Sequence, residues 1–199
     1  MEVNIFGEGA VGYKNIVKSS SSQDYFLYKK YKNYAVCAVA DGHSMDVFKY
    51  SHIGSHLACQ SVFQVLKTYK LNEDIEKGQQ NLICDFKNGK VQNDIKNKWR
   101  DLVYREFYKR NYKVYKLDYM LFGTTLSFVI FLKEYMIFFN LGDSSILIKE
   151  DKDYVNVFKN NNFKVVNSLA LCNCEEKMQY SILKMNKYFK LLISTDVFI

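Results

Sequence analysis

The chain has 199 residues, of which 48% are hydrophobic and 16% aromatic, and carries a formal net charge of +7. That is enough apolar material for one buried core, and it excludes a disordered, collagen-like or low-complexity chain. Five cysteines, an odd number, two of them (Cys37 and Cys59) inside apolar runs, argue against a disulfide scaffold and for reduced thiols.

In chain order, MEVNIFGEGAVGYKN lacks the basic start, apolar centre and small-residue cleavage site of a secretory leader. Gly7, Gly9 and Gly12 have neither the spacing nor the following helix of a phosphate cradle. Tyr25–Tyr28 and Tyr34–Ala40 read as two strands joined by the polar turn KKYKN, a hairpin. After Asp-Gly-His at 41–43, apolar residues at Ile53, Leu57, Val62, Val65 and Leu66 predict a helix from about Val47 to Tyr69. A second helical region runs from about Gln79 to Tyr112, with its period interrupted around Lys87–Gly89.

The densest basic cluster, Lys96–Lys116, is interleaved with aromatics, a pattern that could follow a nucleic-acid backbone. Trp99, Leu102, Val103, Phe107 and Tyr108 fall on one stripe at helical spacing, so the segment reads as an amphipathic helix with a solvated charged face, and nucleic acid is disfavoured as a partner.

Thr124–Leu132 and Tyr135–Leu141 are β-branched and aromatic runs separated by Lys133-Glu134, a tight hairpin, and Ser144–Lys149 adds a third short strand. These apolar runs are too short and too interrupted to cross a bilayer as helices, so the expected location is the cytoplasm. Residues 150–187 are polar and rich in Asn and Lys and read as loop or weak helix. Tyr188–Ser194 is a continuous apolar strand, expected to be buried. Strands, helices and then strands imply an α+β layered domain over 1–199.

Three aspartates follow predicted strands: Asp41, Asp143 and Asp196. Carboxylates at the mouths of apolar strands are costly to bury without a cation or donors, and an oxygen-rich set at one sheet edge suits Mg²⁺ or Mn²⁺. By spacing alone the commoner reading of each is an ordinary turn or helix-cap aspartate. His52 and His56 share a helix face but lack the Glu and third ligand of a zinc site, and Cys172-Asn173-Cys174 has no second pair.

Five segments in order resemble the metal-dependent protein phosphatases of type 2C, in their bacterial-type branch. They are Ser22-Gln23-Asp24-Tyr25, Ala38-Val39-Ala40-Asp41-Gly42-His43, Phe122-Gly123-Thr124-Thr125-Leu126, Asn140-Leu141-Gly142-Asp143-Ser144 and Leu192-Ile193-Ser194-Thr195-Asp196. The resemblance implies a four-layer αββα sandwich of two antiparallel sheets flanked by helices, a binuclear Mn²⁺ or Mg²⁺ site at one end, and hydrolysis of phosphoserine or phosphothreonine by a metal-activated water. It implies that Asp41 bridges the metals with help from the Gly42 carbonyl, that Asp196 ligates one and Asp24 sits beside them, and that Asp143 holds a third, looser metal. It makes His43 the general acid. The implied partners are a phosphorylated protein and an antagonist Ser/Thr kinase, with no membrane.

The sequence departs from the family pattern in four places. Val197 stands where a glycine follows the last aspartate, and Lys18 is the nearest cation where many members have a phosphate-clamping arginine. Ser145 and Ile146, not an arginine, follow Gly-Asp-Ser. The chain also stops before the family's final aspartate and its last strand, so the expectation is a fold lacking that strand: a C-terminally truncated enzyme, or a degenerate member that binds phosphoproteins or partners.

Overall fold

The computed structural model describes residues 3–11, 16, 21–110, 116–150, 153–158, 167–185 and 190–195. The predicted hairpin forms from β1 (Tyr25–Lys30) and β2 (Ala35–Ala40), in register from Tyr25 opposite Ala40 to Lys30 opposite Ala35. Its turn is closed by the Tyr31 N–H donating to the Tyr34 carbonyl at 2.8 Å and by stacking of the two rings, centroids 4.4 Å apart.

The first helical region is a 3-10 turn, Asp46–Phe48, followed by α1 (Ser51–Lys67). The second is two helices, α2 (Ile75–Lys87) and α3 (Lys90–Lys109). The interruption in the sequence period is real: the chain reverses at Gly89, whose φ of +74° is strained for any residue with a Cβ. The helical region begins earlier than the periodicity indicated, because the Asp74 carboxylate accepts the Lys77 N–H at 3.0 Å and caps α2 there.

A 3-10 turn at Tyr119–Phe122 leads into β3 (Leu126–Phe131), β4 (Tyr135–Leu141) and β5 (Ser145–Glu150). Next come β6 (Asp153–Asn156), a 3-10 turn at Cys174–Lys177, β7 (Gln179–Lys184) and β8 (Leu191–Ser194). The reading of 150–187 as loop or weak helix therefore misses two strands. Both lie at sheet edges, in the orders β1-β2-β3-β4-β7 and β6-β5-β8, and both are largely exposed, so their sequences carry no buried-strand signature. β8 is shorter than predicted and half-exposed rather than buried, because it too is an edge strand; residues 186–189 lie outside the described residues.

The fold class is as expected: α+β, the described residues forming a five-stranded and a three-stranded antiparallel sheet stacked face to face and flanked by three helices. Side-chain alternation divides the core. Leu126, Phe128, Ile130, Ile137 and Phe139 point toward the helices and join Leu66, Leu82, Phe86 and Trp99 in one buried cluster. Val129, Met136 and Phe138 point the other way, toward Ile146 and Ile148 of the small sheet.

On α3, Trp99, Val103 and Phe107 are buried as expected, whereas Tyr108 is 53% exposed and lies outside the stripe. All five cysteines are free. No helix among the described residues is long and apolar enough to cross a membrane.

Candidate functional site

Strand register collects the candidate residues at one end of the sandwich. Tyr25 faces Ala40, Val39 faces Ser127, Leu126 faces Leu141 and Ser145 faces Ser194. The start of β1, the end of β2, the start of β3, the β4–β5 turn and the end of β8 therefore share that end. Asp24, Asp41 and Asp143 lie in these terminal segments.

The backbone of Asp41 is held on both sides. Its N–H donates to Thr125 Oγ1 at 2.9 Å, and its carbonyl accepts from the Thr125 N–H and from Thr124 Oγ1, each at 2.9 Å. The next two residues are fixed from another strand end. The Gly42 N–H donates to the Gln23 carbonyl at 3.1 Å, and Gln23 Nε2 donates to the His43 carbonyl at 3.0 Å and to Ser51 Oγ at 2.9 Å. Gly42 is tightly enclosed: a Cβ there would sit 2.7 Å from the Gln23 carbonyl oxygen and 2.9 Å from the Ser51 backbone. Gln23 thus braces the Asp-Gly-His turn, a role its place in the sequence did not reveal.

The His43 ring packs edge-on against Phe48, centroids 4.7 Å apart, and close to Gly123. Burial lowers its pKa from the usual histidine value, and the negative charge of Asp143 opposes that shift. This electrostatic coupling ties Asp143, itself exposed in the β4–β5 turn, to the Asp-Gly-His turn. Gly142 precedes it with φ of +122°, and a Cβ there would lie 2.6 Å from Thr125 Cγ2. The turn carrying Asp143 therefore leans directly on the residue that clamps Asp41.

Asp24 is exposed at the mouth of β1, its N–H donating to Ser22 Oγ at 3.3 Å. It lines a 560 Å³ cavity together with Gly7, Phe26, Val39, Ile193 and Thr195, so the structure brings Asp24 to the end of β8. Asp196 and Lys18 lie outside the described residues. Among the described residues, no three His, Cys, Asp or Glu side chains are grouped closely enough to hold a metal ion by themselves.

The other sequence candidates have structural partners. His56 rests against the Tyr25 ring, centroids 4.5 Å apart, and its Nε2 meets Gln60 Nε2 at 2.9 Å. His52 is depressed in pKa by burial and by Arg110 nearby. On α3, Arg105 pairs with Asp101 at 3.0 Å, Arg110 pairs with Glu106, and Lys98 lies 3.7 Å from Asp101, so much of the basic face is charge-compensated along one helix.

The sequence pattern of the family described as protein phosphatase 2C matches residues 11–197, nearly the whole chain. The chain belongs to the protein phosphatase 2C family. Three solved structures illustrate the shared fold. The catalytic domain of the serine/threonine protein phosphatase PstP, in complex with two manganese ions, is 13% identical over 87% of this chain and 70% of its own, with a TM-score of 0.51. The S. agalactiae serine/threonine phosphatase is 15% identical over 87% of this chain and 73% of its own, with a TM-score of 0.51. An arginine-to-lysine mutant of a bacterial serine phosphatase is 14% identical over 87% of this chain and 72% of its own, with a TM-score of 0.57. No curated protein sequence matches significantly. At such identities the structural likeness speaks to the phosphatase 2C fold, and the arrangement of this chain's own residues must carry any statement about chemistry.

Proposed function

We propose that this chain is a cytoplasmic, metal-dependent protein phosphatase, a single type 2C domain over 1–199, that hydrolyses phosphoserine and phosphothreonine on proteins. One observation carries the reading. Asp24, Asp41 and Asp143 lie at one end of a protein phosphatase 2C fold, and the Asp41 backbone there is clamped by three hydrogen bonds of 2.9 Å.

The donor chemistry fits a hard divalent cation, since the Asp41 carboxylate, the Gly42 carbonyl and the Asp24 and Asp143 carboxylates offer only oxygen. These residues, completed by Asp196, would hold two Mn²⁺ or Mg²⁺ ions, with Asp143 serving a third and looser one. Bound cations of this kind supply Lewis-acid activation of water and neutralise phosphoryl charge. Lys18 supplies a point charge to the phosphate oxygens, less directional than an arginine fork. His43 would donate a proton to the departing seryl or threonyl oxygen as the P–O bond breaks; burial lowers its pKa, which makes the imidazolium a readier but scarcer donor at neutral pH, and the Asp143 charge offsets part of that loss. The natural partners are phosphorylated proteins and the Ser/Thr kinase that modifies them.

The direct test is phosphate release from a phosphothreonine peptide with and without Mn²⁺, comparing wild type with Asp41→Asn. Release that needs Mn²⁺ and drops by about 100-fold or more in the variant is the expected result. A second reading, a phosphatase-like module that binds phosphoproteins without turning them over, is favoured by Val197 and Lys18 in place of the family's glycine and arginine. It predicts that a folded wild-type protein binds the phosphopeptide and releases nothing.

A further inference from the structure

We infer that Ser168 is a positioning residue: it holds Thr124, and through Thr124 the backbone of Asp41, from a loop fastened to α3 by the buried Lys96. Its meaning for phosphoryl chemistry rests on the reading above, whereas its effect on the Asp41 backbone stands on the contacts alone.

The need for such a residue follows from the sheet. Gly42 and Thr124 form an isolated bridge in which the Thr125 N–H reaches the Asp41 carbonyl and the His43 N–H reaches the Gly123 carbonyl. That pattern uses the flanking residues and turns Thr124's own N–H and carbonyl away from β2. On the other side β3 pairs with β4, and the last pair is Leu126 with Leu141, because β4 gives way to the Gly142-Asp143 turn. Thr124 is fully buried, so its outward backbone groups need partners that no strand provides.

Ser168 and Leu169 provide them. The Thr124 N–H donates to Ser168 Oγ at 3.1 Å, the same hydroxyl lies 3.3 Å from the Thr124 carbonyl, and the Leu169 N–H donates to that carbonyl at 2.9 Å. Ser168 Oγ also accepts the Ala170 N–H at 3.3 Å, which fixes the hydroxyl within its own loop.

The loop is secured from the helix layer. Lys96 on α3 is 7% exposed, and its ammonium donates to the Cys172 carbonyl at 2.6 Å and to the Glu175 carboxylate at 2.5 Å. Glu175 answers electrostatically, its pKa lowered chiefly by the hydrogen bond from Lys96. A lysine this enclosed is costly to desolvate, and both of its partners lie in the loop that carries Ser168. The line of contacts runs from Lys96 to Cys172 and Glu175, along the loop to Ser168, then to Thr124 and finally to Asp41.

The test uses amide hydrogen exchange at Asp41 and Thr125, neither of which bonds to Ser168 directly, together with Mn²⁺ affinity measured by electron paramagnetic resonance. In Ser168→Ala these two amides exchange at least about tenfold faster, while amides at Val36 and Val129 keep wild-type rates. Mn²⁺ affinity falls roughly 10–100-fold, and kcat falls more than KM. Glu175→Gln, at a more accessible position that leaves the fold intact, shows the same pattern with smaller amplitude. Wild-type exchange at Asp41 and Thr125 in both folded variants would overturn the inference, even if both melt earlier. Should wild-type protein bind no Mn²⁺ and release no phosphate, the phosphatase reading falls, and the exchange rates still decide the role of Ser168.

Discussion

The two faces of the five-stranded sheet are packed by different means. Toward the helices lies a broad aromatic core, where Phe128 stacks on Phe139 at 4.5 Å and meets Phe86 at 6.4 Å, with Trp99 and Phe122 fully buried nearby. Toward the small sheet, among the described residues, the buried cluster is Val129, Met136, Phe138, Ile146 and Ile148, with Phe131, Val157, Phe158, Met185, Leu191 and Ile193 partly buried against it. The candidate site straddles the two. The clamp on Asp41 belongs to β2 and β3, anchored in the large core, while Asp143 and the end of β8 belong to the side of the smaller sheet. The difference predicts that the half of the site holding Asp41 opens only with global unfolding, whereas the half holding Asp143 opens at a lower free energy.

Matched truncations on the two faces test this most sharply. Phe128→Ala is expected to cost roughly 4–5 kcal/mol, and Phe138→Ala about 3 kcal/mol, because the small sheet can settle into the space left behind. Urea unfolding of both variants gives the order directly, and an equal or inverted order breaks the comparison.

A smaller effect is expected at the joint between the two halves. Gly142→Ala combines an unfavourable positive φ with a Cβ only 2.6 Å from Thr125 Cγ2. It should destabilise by about 1–3 kcal/mol and speed exchange in β5 more than in β2. Exchange that rises equally in both strands would mean the halves move as one body.

The Lys96–Glu175 pair makes a pH-dependent contribution. The folded Glu175 has a lowered pKa, so the unfolded chain binds the proton more readily, and the stabilisation is fully present above the ordinary glutamate range and lost as pH falls from there through the lower folded value. Glu175→Gln is therefore expected to be less stable than wild type by about 1 kcal/mol at pH 7, with the difference shrinking steadily as the solution is acidified below the ordinary glutamate range. A difference that does not shrink on acidification would remove the pair from the account of the loop. Least of all is expected from Tyr108→Ala: the side chain is 53% exposed and meets the buried Phe107 ring edge-on at 5.2 Å, so stability should stay within about 1 kcal/mol of wild type in thermal unfolding.

Much of this architecture was legible from periodicity and turn chemistry. The β1–β2 hairpin, the helix break at Gly89 and the strand Tyr135–Leu141 each carry a local signal: a polar turn, a left-handed glycine, an apolar and aromatic run from Tyr135 to Phe139. β6 and β7 escaped because an edge strand owes its form to the neighbour it pairs with, and Gln179–Lys184 becomes a strand by lying along the buried β4. The aspartates of the site were visible as carboxylates at strand ends, and the register brings Asp24, Asp41 and Asp143 to one end. The residues that fix them were not. Gln23 acts on His43 across 20 residues and Ser168 on Thr124 across 44, and nothing in the composition near either position marks such a distant contact.

The strand pairing that places Asp41 also governs how the molecule can assemble. Asp41 meets Thr125 across 84 residues of chain, a span that contains the three described helices α1, α2 and α3. Closing so long a loop gains nothing until its ends meet, whereas each helix and each hairpin can begin from contacts near in sequence. The helical layer and the β3–β4 hairpin are therefore free to form early, and the junction of β2 with β3 must follow. With no proline anywhere in the chain, that late step is not delayed by slow prolyl isomerisation. Sequence separation therefore predicts that the end of the sheet where the aspartates gather forms late in folding, so that pulse-labelling exchange would find the Asp41 and Thr125 amides protected after those of the helices and of the β3–β4 hairpin.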